Sequence, residues 1–331
     1  MMDGNQIVNC LIVGCGKIAG GFDALRSPEQ MPLSHAGAFT KHGRYRILAC
    51  VEPMPARRAE FMQRWAVPEG YADLSALASH TGRYDVISVC SPTSEHYRSV
   101  KVAIALNPRL IFCEKPLAPQ LSQASELVEA CRLAGIPLAV NYTRRWDTDL
   151  VQLAADLKNG VWGAVRSVTG VYTKGILNNG SHMVDLLHLL FGPLDVQVVG
   201  SPVYDGFPDD PSVAVTLATS DHIPVQLSCA DARDYSIFEL QIVAEKGVIT
   251  MEDGGLLWRI RHVVESPTFL NYRSLDAGVR KVGSLPGATL AAVSEIYASL
   301  TSGRTISSSG ENALRSQRVC EAIRDRAIHG D

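Results

Sequence analysis

Two patterns of apolar positions divide the chain. Up to residue 145, near-continuous apolar runs alternate with stretches of helical spacing. Runs at Ile7–Val13, Arg46–Val51, Asp85–Cys90, Leu110–Cys113 and Pro137–Val140 predict strands, and Ala56–Trp65, Glu95–Leu106 and Gln120–Ala134 predict helices. Strands that are apolar on both faces suit a parallel sheet covered by helices on both sides. Residues 1–145 therefore predict a doubly wound α/β domain of the Rossmann kind.

Further on the apolar positions recur every second residue. After a predicted helix at Thr148–Lys158, Val213, Val215 and Leu217 form one such set, Val225, Leu227 and Cys229 a second, and Phe238, Leu240 and Ile242 a third. Alternation buries one face and leaves the other polar, which predicts a large open, mainly antiparallel sheet in a second α/β domain over residues 146–305. The uncovered face predicts a homodimer or homotetramer formed through this sheet. An apolar helix at Ser181–Phe191 stops at Gly192-Pro193. The stripe Ala313, Ser316, Cys320, Ile323 and Ala327 predicts a last helix over Glu311–Ala327, so residues 306–331 should dock back on the body.

Composition narrows the function classes. Of 331 residues 46% are apolar and 20% charged, ordinary for a globular protein, and a net charge of −3 offers no basic field for nucleic acid or anionic lipid. The start, MMDGNQIVNC, has no basic segment leading into a long apolar run, and no apolar stretch is long enough to span a bilayer, so a cytoplasmic protein is expected. The eight cysteines include no CxxC pair and several lie in apolar runs, so they read as small buried hydrophobes rather than as disulfides or zinc ligands. No cluster of His, Cys and carboxylate has ligand spacing, and no metal site is predicted.

The first strand runs into Gly14-Cys15-Gly16-Lys17-Ile18-Ala19, a GxGxxA turn. The first glycine permits a tight turn, the second lets the backbone approach a pyrophosphate, and the small third residue allows close helix–strand packing. Glu52 ends the second strand, where a carboxylate accepts hydrogen bonds from an adenosine ribose and repels a 2′-phosphate; NAD is therefore expected. Arg57 and Arg58 follow and read first as solvated helix-surface residues; an arginine there can also pair with a 2′-phosphate, which makes NADP the alternative. The separation of Gly16 and Glu52 exceeds the usual twenty or so residues, which an insertion over Gly21–His35 accounts for. S-adenosylmethionine enzymes share these first features but not the next ones.

Ser91-Pro92-Thr93-Ser94-Glu95-His96 follows one strand and Cys113-Glu114-Lys115-Pro116 the next, both at carboxyl ends where open α/β sheets bind ligands. Together with the glycine turn they resemble the glucose–fructose oxidoreductase / inositol dehydrogenase / MocA family. The likeness continues through Asn141-Tyr142-Thr143-Arg144-Arg145-Trp146-Asp147 and Asn178-Asn179-Gly180-Ser181-His182-Met183-Val184-Asp185. It implies an NAD(P)-dependent dehydrogenase or reductase acting on a hydroxyl or keto carbon of a sugar, inositol or nucleotide sugar. The cofactor would then touch Gly14 to Ala19, Glu52, Arg57, Ser91, Pro92, Thr93, His96, Glu114 and Lys115. The resemblance places Lys115 beside the reacting carbon, in the cleft over which the nicotinamide lies, often with a cis bond before Pro116. An ammonium there steadies an alkoxide-like oxygen. It also implies that Asn141, Arg145, Trp146 and Asp185 meet the substrate.

His182 is the acid/base candidate, since helical spacing puts it on one stripe with Asn178, Asp185 and Leu189. His188 lies off that stripe and reads as structural. Lys174 reads as a solvated strand-end residue, with a nucleotide-sugar phosphate as its other reading. The family usually has aspartate where this chain has Asn178, which cannot take a proton. Three readings of that change follow: Lys115 and His182 carry the proton between them, the substrate differs, or redox turnover is lost and the chain only binds a dinucleotide; the first two together lead. A separate alternative within the resemblance is an enzyme that holds NAD and cleaves glycosides by transient oxidation.

Overall fold

The computed structural model describes residues 6–330, and the predicted apolar runs are the strands of a parallel sheet. Val8–Val13 (β1), Tyr45–Val51 (β2), Glu69–Tyr71 (β3), Val86–Val89 (β4), Leu110–Cys113 (β5) and Leu138–Val140 (β6) lie in the order β3-β2-β1-β4-β5-β6, all parallel. Between them run His35–His42 (α1), Pro55–Trp65 (α2), Thr93–Ala105 (α3) and Leu121–Ala134 (α4). Leu11, Ile12, Ile87 and Ile111 are fully buried, each contributing about 1.5–3 kcal/mol by leaving water. The strand order reverses between β1 and β4, which opens a crevice at their carboxyl ends. The edge strand β3 is not in the apolar pattern because its three residues are only half-buried.

The insertion after the glycine turn is a loop spliced out of a helix. Gly20 N–H bonds to Gly16 O at 3.2 Å and Phe22 N–H to Lys17 O at 2.8 Å, giving one turn. His35 N–H then bonds to Ile18 O at 3.0 Å and Ala36 N–H to Ala19 O at 2.8 Å. His35 stands seventeen residues beyond Ile18, where a continuous helix would use four. Thirteen residues are therefore looped out, and without them Gly16 and Glu52 would be twenty-three residues apart instead of thirty-six. Asp23 closes the loop: its buried carboxylate accepts from Leu33 N at 3.0 Å and Ser34 N at 2.9 Å, and from the Ser34 hydroxyl. Ser34 in turn caps α1 by accepting from Gly37 N.

The chain folds as two compact units. One runs up to Trp146 and takes back Pro286–Leu314; the other holds Asp147–Leu285 and the chain from Arg315 on. The apolar pattern alone assigned all of 146–305 to one domain. The difference arises at the helix Ala288–Ser302, which belongs with the first unit: Tyr45 Oη donates to Val293 O at 2.6 Å and Trp146 Nε1 to Glu295 Oε1 at 2.8 Å.

The second unit begins with Thr148–Lys158 (α5) and Val165–Tyr172 (β7), followed by a π-helical turn at Gly175–Gly180 and Ser181–Phe191 (α6). Leu194–Val203 (β8), Ser212–Thr219 (β9), Pro224–Cys229 (β10), Phe238–Ala244 (β11), Gly247–Glu252 (β12), Leu257–Glu265 (β13), Arg273–Leu275 (β14) and Val279–Val282 (β15) complete a nine-stranded sheet. Its pairs are antiparallel except β7 with β10. The three alternating sets all turn inward: Val213, Val215, Leu217, Val225, Leu227, Phe238, Leu240 and Ile242 are buried, with Cys229 half-buried at the strand end. They pack with Met183, Val184, Leu186 and Leu187 of α6. The helix Ala288–Ser302 (α7) precedes Gly310–His329 (α8), in which Ala313, Ser316, Cys320 and Ile323 are buried. All eight cysteines are free thiols. Among the described residues no helix is long and apolar enough to cross a membrane.

Candidate active site

The glycine turn has the shape of a phosphate cradle. Gly14 has φ +86°, and a side chain there would meet Ser91 N at 2.7 Å and the Cys90 carbonyl carbon at 2.8 Å, so only glycine fits. At Gly16 a Cβ would meet nothing within 4 Å, so the backbone face is open where a pyrophosphate needs to approach. Ala19 is fully buried, Ile18 half-buried, and Lys17 exposed.

Glu52 ends β2 and is buried. Its Oε2 accepts from Cys15 N at 3.1 Å and its Oε1 from Met54 N at 3.1 Å, so the carboxylate ties the glycine turn to the start of α2. The two arginines are not equivalent. Arg58 Nη1 donates to the Glu52 carbonyl at 2.6 Å, while Arg57 is half-exposed with Nη1 3.6 Å from Glu52 Oε2. Arg57 lies between a cleft of about 400 Å³ lined by Gly14, Glu52, Met54, Ser91 and Pro92, and one of about 380 Å³ lined by Gly16, Lys17, Arg64 and Trp65. The open backbone at Gly16 and the carboxylate at the end of β2 are arranged as a dinucleotide's pyrophosphate and ribose would require.

The two motif turns are joined by a histidine. His96, in the first turn of α3, is buried, with Nε2 2.8 Å from Ser91 O and Nδ1 2.7 Å from Pro116 O. Expected to touch the cofactor, its ring instead bridges the two loops. Thr93 opens α3 with Pro92 at its N-cap. The Lys115–Pro116 bond is cis.

Behind Lys115 lies a buried polar group that the sequence did not single out. His35 is fully buried, with Nδ1 2.7 Å from Ser88 Oγ and Nε2 2.8 Å from Glu114 Oε1. Asn141 Nδ2 donates to the same Glu114 oxygen at 2.6 Å, and Thr143 Oγ1 donates to Asn141 Oδ1 at 3.1 Å. The His35 ring stacks on Phe112, centroids 4.4 Å apart. Burial opposes charge on His35, but Cys90 and Glu114 outweigh it and hold its pKa above the ordinary imidazole range. Burial likewise opposes charge on Glu114, yet His35, Asn141 and Lys115 hold its pKa below the usual carboxylate range. Each partner's shift favours its charged form.

Asn141 thus serves Glu114. Arg145 and Trp146, expected in the cleft, are both buried: Arg145 Nη1 lies 3.5 Å from Ser307 O, and the Trp146 indole donates to Glu295.

In the second unit the segment from Lys174 to Asp185 is more elaborate than helical spacing suggests. Asn178 lies in the π-helical turn, so its four-residue spacing to His182 is not that of an α-helix; His182 and Asp185 keep a common face within α6. Asp210 holds the turn, accepting from Leu177 N and Asn178 N, each at 2.8 Å. Asn178 Nδ2 donates to Lys174 O at 3.1 Å. Lys174 is exposed at φ +68°, its N–H on buried Asp205 at 2.7 Å. Asp185 is buried and accepts from Ser316 Oγ at 3.0 Å. His188 Nδ1 lies 2.9 Å from Gly192 O at the end of α6, a structural contact. Gly175 and Gly180 were the sequence signals for the altered turn: a side chain at either would collide, with Asp210 and with Ile176 and Tyr172 respectively.

Residues 8–142 match a family model described as an oxidoreductase family with an NAD-binding Rossmann fold, that of glucose–fructose oxidoreductase, inositol dehydrogenase and MocA. The chain is similar to D-glucoside 3-dehydrogenase of Escherichia coli (strain K12), 30% identical over 225 residues, which is 62% of this chain and 58% of that protein. It therefore spans less than two thirds of that relative. In structure it resembles an oxidoreductase from Agrobacterium radiobacter in complex with NAD+, L-tartaric acid and magnesium (TM-score 0.77, 19% identity, 98% of each chain). It also resembles the WlbA dehydrogenase from Bordetella pertussis in complex with NADH and UDP-GlcNAcA (TM-score 0.76, 17% identity, 98% of each chain). At such identities the likeness establishes the fold.

Proposed function

The chain carries the NAD-binding Rossmann domain of the glucose–fructose oxidoreductase / inositol dehydrogenase / MocA family, and from that premise we propose that it is an NAD(P)-dependent dehydrogenase or reductase acting on the CH–OH or keto carbon of a sugar, inositol or nucleotide sugar. The observation that carries the reading is the first unit's carboxyl-end geometry. The open cradle at Gly16, the acidic reader Glu52 and the Glu114-Lys115-cis-Pro116 turn all follow strands of one parallel sheet. When bound, the nicotinamide supplies or accepts the hydride.

The chain's own residues hold the substrate oxygen and move its proton. Lys115 polarises or steadies that oxygen, and His182 exchanges the proton with it. Asn178 orients a hydroxyl rather than taking a proton. Its amide already donates to the Lys174 carbonyl, a contact an aspartate could not make, so asparagine is fitted to this turn. That favours a tuned site over a decayed one. The outer face of the nine-stranded sheet, with Thr169, Ala214, Gln226 and Ser228 exposed, is the surface we assign to self-association.

The test is a panel of monosaccharides, inositols and nucleotide sugars, scored by NADH or NADPH formation and by the reverse reduction. Lys115→Ala should lower turnover by roughly a thousandfold while NADH binding stays within about threefold. Near-normal turnover in that variant would overturn the assignment of Lys115.

A further inference from the structure

We propose that His35 is a positioning residue for Lys115, acting through the Glu114 side chain. The inference rests on the dehydrogenase reading but concerns residues of the first unit alone. His35 enters the site from the far side of the spliced loop, where Ser34 is bound to Asp23 and His35 N–H to Ile18 O. Its ring is wedged against Phe112, with one nitrogen on Ser88 Oγ and the other on Glu114 Oε1. The nitrogen facing the carboxylate must donate, so the ring is oriented, and Ser88 Oγ can give or take a proton to suit either charge state.

Glu114 is thereby held by two donors on one oxygen, His35 and Asn141, while its backbone N–H is fixed to Val89 O at 2.9 Å. On the other side of Lys115, the Pro116 carbonyl is held by His96. Lys115 is the middle residue of a tripeptide whose neighbours are each anchored by a buried histidine. The charge argument points the same way. A carboxylate beside an ammonium stabilises its protonated form, and His35 draws off part of that attraction. Without His35, Lys115 remains as a cation acting on Glu114, and Glu114 should hold the Lys115 proton more tightly.

The experiment measures Lys115 directly and needs no substrate. Competitive labelling with acetic anhydride, read by mass spectrometry against Lys246, reports the reactivity of the Lys115 amine. Wild type, His35→Leu, His35→Gln and Glu114→Gln are compared, with NADH binding and thermal melting measured alongside. His35→Leu fills volume without a donor and should lower Lys115 reactivity by about threefold or more. His35→Gln keeps a donor but not the charge and should recover part of it. Glu114→Gln removes the charge and should raise reactivity above wild type; it carries the test if the leucine variant does not fold. With an active substrate, kcat should fall in His35→Leu with KM nearly unchanged. Wild-type Lys115 reactivity in folded His35→Leu, or a glutamine variant no better than the leucine one, overturns the proposal. Failure of the wild type to bind NADH would sink the dehydrogenase reading instead, while the labelling ratios still decide the role of His35.

Discussion

Asn178 stands where the resemblance leads one to expect an aspartate, and its surroundings give the difference a cause. Its backbone N–H and that of Leu177 are both bound to Asp210, and its amide donates to a carbonyl. An aspartate there would turn a carboxylate toward that carbonyl with Asp210 close by. Asn178→Asp should therefore cost about 1–3 kcal/mol in urea unfolding and give no gain in turnover; a faster and equally stable variant would indicate a decayed site. Arg57 and Arg58 make a second case. Because Arg58 is engaged with the Glu52 carbonyl, a 2′-phosphate would meet Arg57. Arg57→Ala should weaken NADPH binding about tenfold and leave NADH within about twofold. Equal losses for both would remove Arg57 from the ribose end. The turn glycines Gly14 and Gly16 were legible because local spacing carries their geometry: Gly14 has φ +86° with no room for a side chain, and Gly16 faces open space. His35 was not, because its partner Glu114 is 79 residues away and only the folded sheet brings them together.

Among the elements, the spliced helix is the clearest departure from simple pattern. The long spacing from Gly16 to Glu52 announced an insertion, but not that the helix ladder resumes across it. Removing Gly21–Leu33 takes out thirteen residues and leaves His35 four positions after Ile18, the spacing an uninterrupted helix needs. That deletion should fold with stability within about 2 kcal/mol of the parent, since lengthening a surface loop changes closure entropy little. Loss of a cooperative melt would show that the loop is integral to the unit. The π-helical turn was hidden for a related reason: a spacing of four fits an α-helix on paper, and Asp210, the residue that widens the turn, lies 32 positions beyond Asn178. Strand β3 was missed because its three residues are only half-buried; in helix α7 the buried stripe Ala288, Thr289, Ala292, Val293, Glu295 and Ile296 includes polar Thr289 and Glu295, which blur the apolar spacing.

For the whole molecule, the His35–Glu114 pair links stability to pH. Glu114 has a folded pKa below its ordinary 4.5, so its contribution is present above that pH and is lost as pH falls through the lowered value. His35 has a folded pKa above its ordinary 6.5, so its contribution is complete below 6.5 and declines as pH rises toward the raised value. Both are complete between those two pH values. His35→Gln should flatten the alkaline decline in denaturant-melt stability and, because His35 helps lower the Glu114 pKa, move the acid limb to higher pH; an unchanged alkaline slope would show that the pair is not ionised in the fold. Self-association belongs to this scale too. Gln226→Lys together with Ser228→Glu, on the outer sheet face, should shift the light-scattering mass toward the monomer. An unchanged oligomer would place the interface elsewhere.

The most direct test of the central claim is a fluorescence titration of the purified protein with NADH and NADPH in parallel. The account predicts saturable binding of NADH, weaker binding of NADPH because the proposal sets Glu52 against the ribose, and loss of the NADH signal when Gly16 is replaced by a bulky residue. Binding of neither dinucleotide by well-folded protein would contradict it.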